Sequence, residues 1–181
     1  MTQTLRPLNS KERKEFHKLL HEQFGFAGEI DGLLFHNDKQ EKYFLFSSDL
    51  AHFDSQELRV DTMGLYIAAF MKGKLRLTIE GAERIGPHAT KNMIALNDEE
   101  AQAWIAGANI PLDILEADVS EILDGTFLIV RHGPDWIGTG RKADQFLYNY
   151  VPKTRQARAA FDPDAGEKAA QEAADDQDDE E

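Results

Sequence analysis

The sequence predicts an α+β fold: a small mixed domain first, then a small barrel built from short strands. Three observations lead there. Two segments carry a full helix-start signature, an asparagine followed three residues later by glutamate, at Asn9/Glu12 and at Asn97/Glu100. Most other apolar residues fall in short runs, or alternate with polar ones in the period of a half-buried strand. Residues 161–181 hold ten acids and one base, Lys168, with no large apolar side chain after Phe161. Such a tail buries too little to offset its ordering entropy, so it is expected to be disordered.

The elements follow in order. Asn9 or Ser10 caps a first helix whose Phe16, Leu19, Leu20 and Phe24 share one face, and Gly25 is its stop. Leu33–His36 and Lys42–Ser47 read as strands joined by a polar turn. Asp49–Phe53 reads as a short helical turn. Met63–Met71 and Leu75–Ile79 form a hairpin around Lys72-Gly73-Lys74, with Leu75, Leu77 and Ile79 alternating with Arg76 and Thr78. Gly81–Ile85 is a short helix ended by Gly86-Pro87, and the domain boundary belongs near residues 86–91. The organisation expected is 1–88, 89–158 and an acidic tail over 159–181.

In the second half Asn92–Leu96 is a short strand. Asn97 caps a helix with Ala101, Trp104 and Ile105 on its apolar face, and Gly107 ends it. Ile110–Leu112 is extended, Val119–Leu123 a weak strand and Asp124-Gly125 a turn. Thr126–Arg131, Trp136–Gly140 and Phe146–Val151 complete the strands, with Gly133-Pro134-Asp135 turning the chain between the first two.

Composition excludes several functions. The 181 residues include no cysteine, which removes disulfide frameworks, thiolate metal sites and a thiol nucleophile. Met1–Glu15 has charges and no apolar run, unlike a signal peptide, and no stretch nears the roughly 18–20 apolar residues of a membrane span. A soluble cytoplasmic protein is the expectation. The net charge of −13 is unevenly spread. The tail carries −9 of it. Lys72–Lys91 has five bases (Lys72, Lys74, Arg76, Arg84, Lys91) against two acids, Asn92–Val130 has eight acids and no base, and Arg131–Ala160 has six bases against two acids. An acidic protein with such blocks can still present a basic stripe to phosphates.

Enzymatic motifs are weak. His17 and His21 stand four apart on a helix, but Lys18 occupies the place where a metalloprotease helix needs glutamate, and no third ligand is marked. No metal or other cofactor is expected. Gly138-Thr139-Gly140 lies between strands, so close packing explains it better than a phosphate loop. No serine sits in a nucleophile elbow, and Asp49 with Asp54 reads as a solvated pair. Arg131–Arg158 is the most informative stretch: Trp136, Arg141, Lys142, Tyr148, Tyr150, Lys153 and Arg155 interleave rings with cations. Cations neutralise phosphates and rings stack on unpaired bases. An ordinary barrel with aromatic core and basic surface would show the same pattern.

The run Gly125–Arg141, continuing through Leu147–Lys153, resembles the end of a PUA domain. It is most similar to the PUA-like RNA-binding region of Nol/Nop/Sun family RNA cytosine-5 methyltransferases, and Leu96–Ala101, Trp104–Gly107 and Ile110–Asp113 fit that region in order and spacing. The first half resembles the pre-PUA domain of Nip-type ribosome-biogenesis factors, through Arg6-Pro-Leu8, the hairpin Leu33–Ser47 and Gly64–Arg84 followed by Pro87-His88-Ala89. The resemblance implies binding to structured ribosomal or transfer RNA, in ribosome biogenesis or RNA modification. It does not imply methylation, which those enzymes perform with cysteines on a separate domain. The expected role is a non-catalytic adaptor that positions RNA for an enzyme supplied in trans. Arg131, Arg141, Lys142, Lys153 and Arg155 match the region where PUA folds meet RNA, with Trp136 and Tyr150 as candidate stacking rings. The alternative is a protein-interaction factor using the fold or the acidic tail to hold a basic ribosomal or RNA-processing protein.

Overall fold

The computed structural model describes residues 5–48 and 64–157. The helical turn expected at Asp49–Phe53 and the acidic tail lie outside the described residues.

The first helix forms where its caps direct. In α1 (Ser10–Phe24) the Asn9 side chain accepts from the Lys11 and Glu12 amides, and Glu12 returns the bond to the Asn9 amide at 2.9 Å. Gly25 closes the helix in the left-handed conformation, at φ 62°. Phe16, Leu20 and Phe24 are its buried stripe, each worth about 1.5–3 kcal/mol against exposure. They pack on a five-stranded sheet of β1 (Arg6–Pro7), β2 (Leu33–Asn37), β3 (Lys42–Phe46), β4 (Leu65–Met71) and β5 (Lys74–Leu77), neighbours in chain order. All four pairings are antiparallel, and β3 and β4 shift register at Tyr43/Phe44. The free edge of β5 is covered in part by Gln23 of α1, whose amide donates to Leu75 O at 2.7 Å and accepts from Leu75 N at 2.8 Å.

Helix α2 (Ile79–Ile85) starts two residues earlier than the sequence suggests. Thr78 ends the strand and accepts from the Gly81 amide at 3.1 Å, which draws Ile79 and Glu80 into the helix. Gly81 lets α2 lie directly on β4, since a Cβ there would sit 1.9 Å from Ile67 O. Gly86–His88 is a single 3-10 turn. Beyond it the Thr90 and Lys91 amides donate to Phe24 O at 2.8 and 3.0 Å, so the connection wraps the C-terminus of α1.

The second sheet has five strands in the order β6 (Met93–Ala95), β8 (Phe127–His132), β9 (Asp135–Ala143), β10 (Phe146–Asn149) and β7 (Ile110–Pro111). Only β6–β8 is parallel. This sheet curls as a half-barrel around α3 (Asp98–Ile105), whose Asn97/Glu100 capping box forms as expected. Trp104 is fully buried against Leu128, Val130 and Leu147, and its indole N–H donates to Ile137 O at 3.0 Å. The expected strand at Val119–Leu123 is instead a turn, with the Ile122 amide on Val119 O at 3.1 Å. No neighbouring strand offers that segment a ladder. The two cores interlock, because Ile129 of β8 belongs to the first and Ile79 of α2 packs against the second.

Candidate nucleic-acid interface

Strand register sorts the residues that the sequence singled out. Phe127, Arg141 and Tyr148 stand opposite one another across β8, β9 and β10. Tyr150 joins that face: its amide donates to Thr139 O at 3.3 Å, and its ring meets Phe127 edge-on at 5.3 Å. Arg141 is half-buried and its Nε reaches Gly125 O at 3.5 Å. Lys142, one residue on, points to the other face, opposite Leu147. There its ammonium donates to Val119 O at 3.0 Å and to Ile122 O, with Asp124 at 3.9 Å.

Lys142, which the sequence reading sets beside Arg141 among the candidate RNA contacts, therefore does not share its face. Lys142 closes a loop inside the molecule, and the alternation of a strand is the reason. Arg155 lies in the 3-10 turn Lys153–Arg155 and is ion-paired with Glu80 of α2. Arg131 and Trp136 face each other beside the β8–β9 turn, at the opposite end of that hairpin from Arg141. Arg131 Nη1 donates to Gly133 O at 3.2 Å. Trp136 lies against Gly86, where a Cβ would come within 2.4 Å of the ring. It is a packing residue between the two halves. Gly138 and Gly140 also serve packing: a Cβ on Gly138 would meet Val151 and Ile79, and one on Gly140 would meet Leu147 and Trp104.

The first sheet brings cations that sequence reasoning did not select. Lys42, Ala69 and Arg76 form a cross-strand row over β3, β4 and β5. The Lys42 ammonium lies 5.5 Å from the centre of the Tyr66 ring, and Phe44 lies 5.4 Å from the same ring. Arg76 Nη2 donates to the Tyr66 hydroxyl at 3.0 Å, while its guanidinium carbon stands 5.7 Å from the centre of Tyr150. Lys74 Nζ crosses to Thr126 Oγ1 at 3.1 Å. A continuous seam results: Lys42, Tyr66, Arg76, Tyr150 and Arg141, the last two joined through the fully buried ring of Phe127. Of these, the sequence reading names Tyr150 and Arg141 as candidates. Lys74 and Arg76 were signalled by their alternation with Leu75 and Leu77, which puts both cations on the face away from the core.

The other histidine and carboxylate features stay apart from this seam. His17 stacks near Phe26 at 6.3 Å, and burial, aided by Arg13, lowers its pKa. Among the described residues no group of three or more His, Asp or Glu is placed to hold a metal ion. Among the same residues no helix is long and apolar enough to cross a membrane.

The chain thus joins a capped helix on a meander to a half-barrel curled around a second capped helix. A conserved PUA domain protein from Thermoplasma acidophilum superposes with a TM-score of 0.56 at 10% identity, covering 85% of this chain and 99% of that one. A hypothetical protein from the hyperthermophilic archaeon Pyrococcus horikoshii gives 0.54 at 12% identity, covering 86% and 99%. The coverage takes in both sheets. The fold is thus α+β and PUA-like. No protein-family model matches the sequence, and no curated protein matches it.

Proposed function

We propose that the protein binds structured RNA, ribosomal or transfer, as a non-catalytic adaptor in ribosome biogenesis or RNA modification in the cytoplasm. One observation carries this reading: the seam of alternating cations and rings running from Lys42 through Arg76 and Tyr150 to Arg141. Cations spaced along a groove follow a phosphate backbone, and ring faces between them accept unpaired bases whatever their sequence. The PUA-like fold supports the reading, as does the likeness of the 125–153 stretch to PUA-type RNA-binding regions. The proposed contact surface includes Arg141, Tyr150 and Arg155. Lys42, Lys74 and Arg76 join them. Lys142, held by loop carbonyls, and Trp136, packed on Gly86, are not part of it.

The test is RNA affinity as a function of salt. Replacing Lys42, Lys74, Arg76 and Arg141 together by Gln should weaken binding at least roughly ten-fold and flatten the salt slope by up to roughly four phosphate contacts. The control replaces Lys11, Lys14 and Lys18 of α1, on another face, and should change little. Equal losses in the two variants, or none in the first, would transfer the function to protein interaction through the acid-rich surface of 98–124.

A further inference from the structure

A cleft of about 330 Å³ opens where the seam crosses from the first sheet to the segment after β10. Phe44, Tyr66, Arg76 and Leu77 line one side of it, Tyr150 and Arg155 the other. Its size is that of a small-ligand pocket rather than of a groove for a double helix. Three of its twelve lining residues are aromatic and two are arginines, and the one carboxylate, Glu80, is paired with Arg155, so it favours a ligand that is flat and apolar in one part and anionic in another.

A second observation points the same way. Arg76 Nε is buried and finds no hydrogen-bond partner among the described residues. The guanidinium is otherwise held firmly, by the Tyr66 hydroxyl at 3.0 Å and by the Tyr150 ring below it. A buried N–H of a charged group without an acceptor is costly, and native proteins rarely keep one without a use. Any acceptor oxygen would satisfy it, an anionic one most strongly.

We propose that this cleft seats a single unstacked nucleotide of the bound RNA. Its base lies against Tyr150 and Tyr66, and its phosphate accepts from Arg76 Nε and from the outer edge of Arg155, whose other face is balanced by Glu80. This rests on the RNA-binding reading and deepens it. The protein then holds RNA by its backbone along the seam and fixes its register by one extruded residue at the junction of the two halves.

The experiment is an NMR titration of the full chain with AMP, UMP, ribose 5-phosphate and inorganic phosphate, beside affinity measurements with a single-stranded oligoribonucleotide. The nucleotides should shift the amides of Leu77, Thr78 and Tyr150, and ribose 5-phosphate, which has no base, should shift them far less. The oligomer should bind at least roughly ten-fold tighter than either nucleotide, because further phosphates engage the seam. Tyr150→Leu and Arg76→Lys should each weaken the oligomer about ten-fold, the second despite its retained charge, since lysine cannot reproduce the planar Nε–H. Normal salt-dependent RNA binding with no amide shifts at the cleft would overturn the nucleotide seat and leave the RNA reading intact. AMP binding as tightly as the oligomer would overturn it too, by making the cleft a site for free nucleotides. Failure of every RNA to bind at low salt would remove both readings.

Discussion

The two halves of the molecule are built to one plan and differ in how far apart in the chain their partners lie. Each pairs a helix started by an Asn-x-x-Glu capping box with a five-stranded sheet. In the first half the strands follow one another in space as in sequence. In the second, β6 and β7 return from a distance to edge a sheet whose centre is β8–β9–β10. The first helix brings a stripe of three buried residues, whereas the shorter second one relies on a single large ring, Trp104. The cations differ as well. Those of the first sheet, Lys42, Lys74 and Arg76, lie on its outer face. The second half spends Lys142 on closing a loop. A local meander leaves a sheet face available for function, while a half-barrel with long excursions needs some of its polar side chains to hold those excursions down.

The sharpest test of this comparison removes the anchor of each half. Trp104→Ala and Phe24→Ala each delete a fully buried ring, and each should cost about 3–5 kcal/mol. Because Ile129 and Ile79 cross between the cores, each variant should still unfold in one urea transition, with circular dichroism and fluorescence coincident. If the fluorescence of Trp136 moves at a lower urea concentration than the helical signal in Trp104→Ala, the halves are separate cooperative units.

A smaller effect distinguishes neighbours within the second half. Lys142→Met should lower stability by about 1–3 kcal/mol, because the carbonyls of Val119 and Ile122 lose a charged donor in a largely enclosed site. RNA affinity should stay as it is. Arg141→Ala should do the reverse, weakening RNA several-fold with little change in the urea midpoint. Loss of RNA affinity in Lys142→Met at unchanged stability would return that lysine to the contact surface.

The sequence was most informative where structure is local. Both capping boxes, the Gly25 stop and the β2–β3 and β4–β5 hairpins depend on residues a few positions apart, and they form within a residue or two of expectation. The two-residue strands β1 and β7 exist only because β2 and β10 lie beside them, so nothing within Arg6–Pro7 or Ile110–Pro111 announces pairing. Val119–Leu123 has strand-forming residues and no partner. At the candidate site, composition singles out the stretch that holds Tyr150 and Arg141. Spacing along the chain does not show that Tyr66 and Arg76, from a different sheet, complete the same surface. Nor does it show that Trp136 is occupied in covering Gly86.

The smallest expected effect belongs to the first half alone and depends on acid. Arg6 of β1 holds Asp38, in the β2–β3 turn, through two hydrogen bonds of 2.8 and 2.9 Å, and reaches Glu12 of α1 at 2.9 Å. His36 of β2 adds a contact to Asp38 at 2.7 Å, and Glu41 stands 3.8 Å from the far side of that imidazole. The Arg6 guanidinium, with His36 second, holds Asp38 down at about 2 from the usual 3.8. Arg6 and the Asn9 amide likewise lower Glu12. A carboxylate whose pKa is depressed by folding binds its proton more readily in the unfolded chain. Its contribution to stability is therefore complete above about pH 4 and fades as pH falls towards 2. Both carboxylates meet solvent, so the effect is that of a surface network rather than of a buried pair. Asp38→Asn should unfold at a slightly lower urea concentration than the native chain at pH 6, and the two midpoints should merge near pH 2. A gap that persists undiminished at the acid end would mean that Asp38 acts through its shape in the turn and not through its charge.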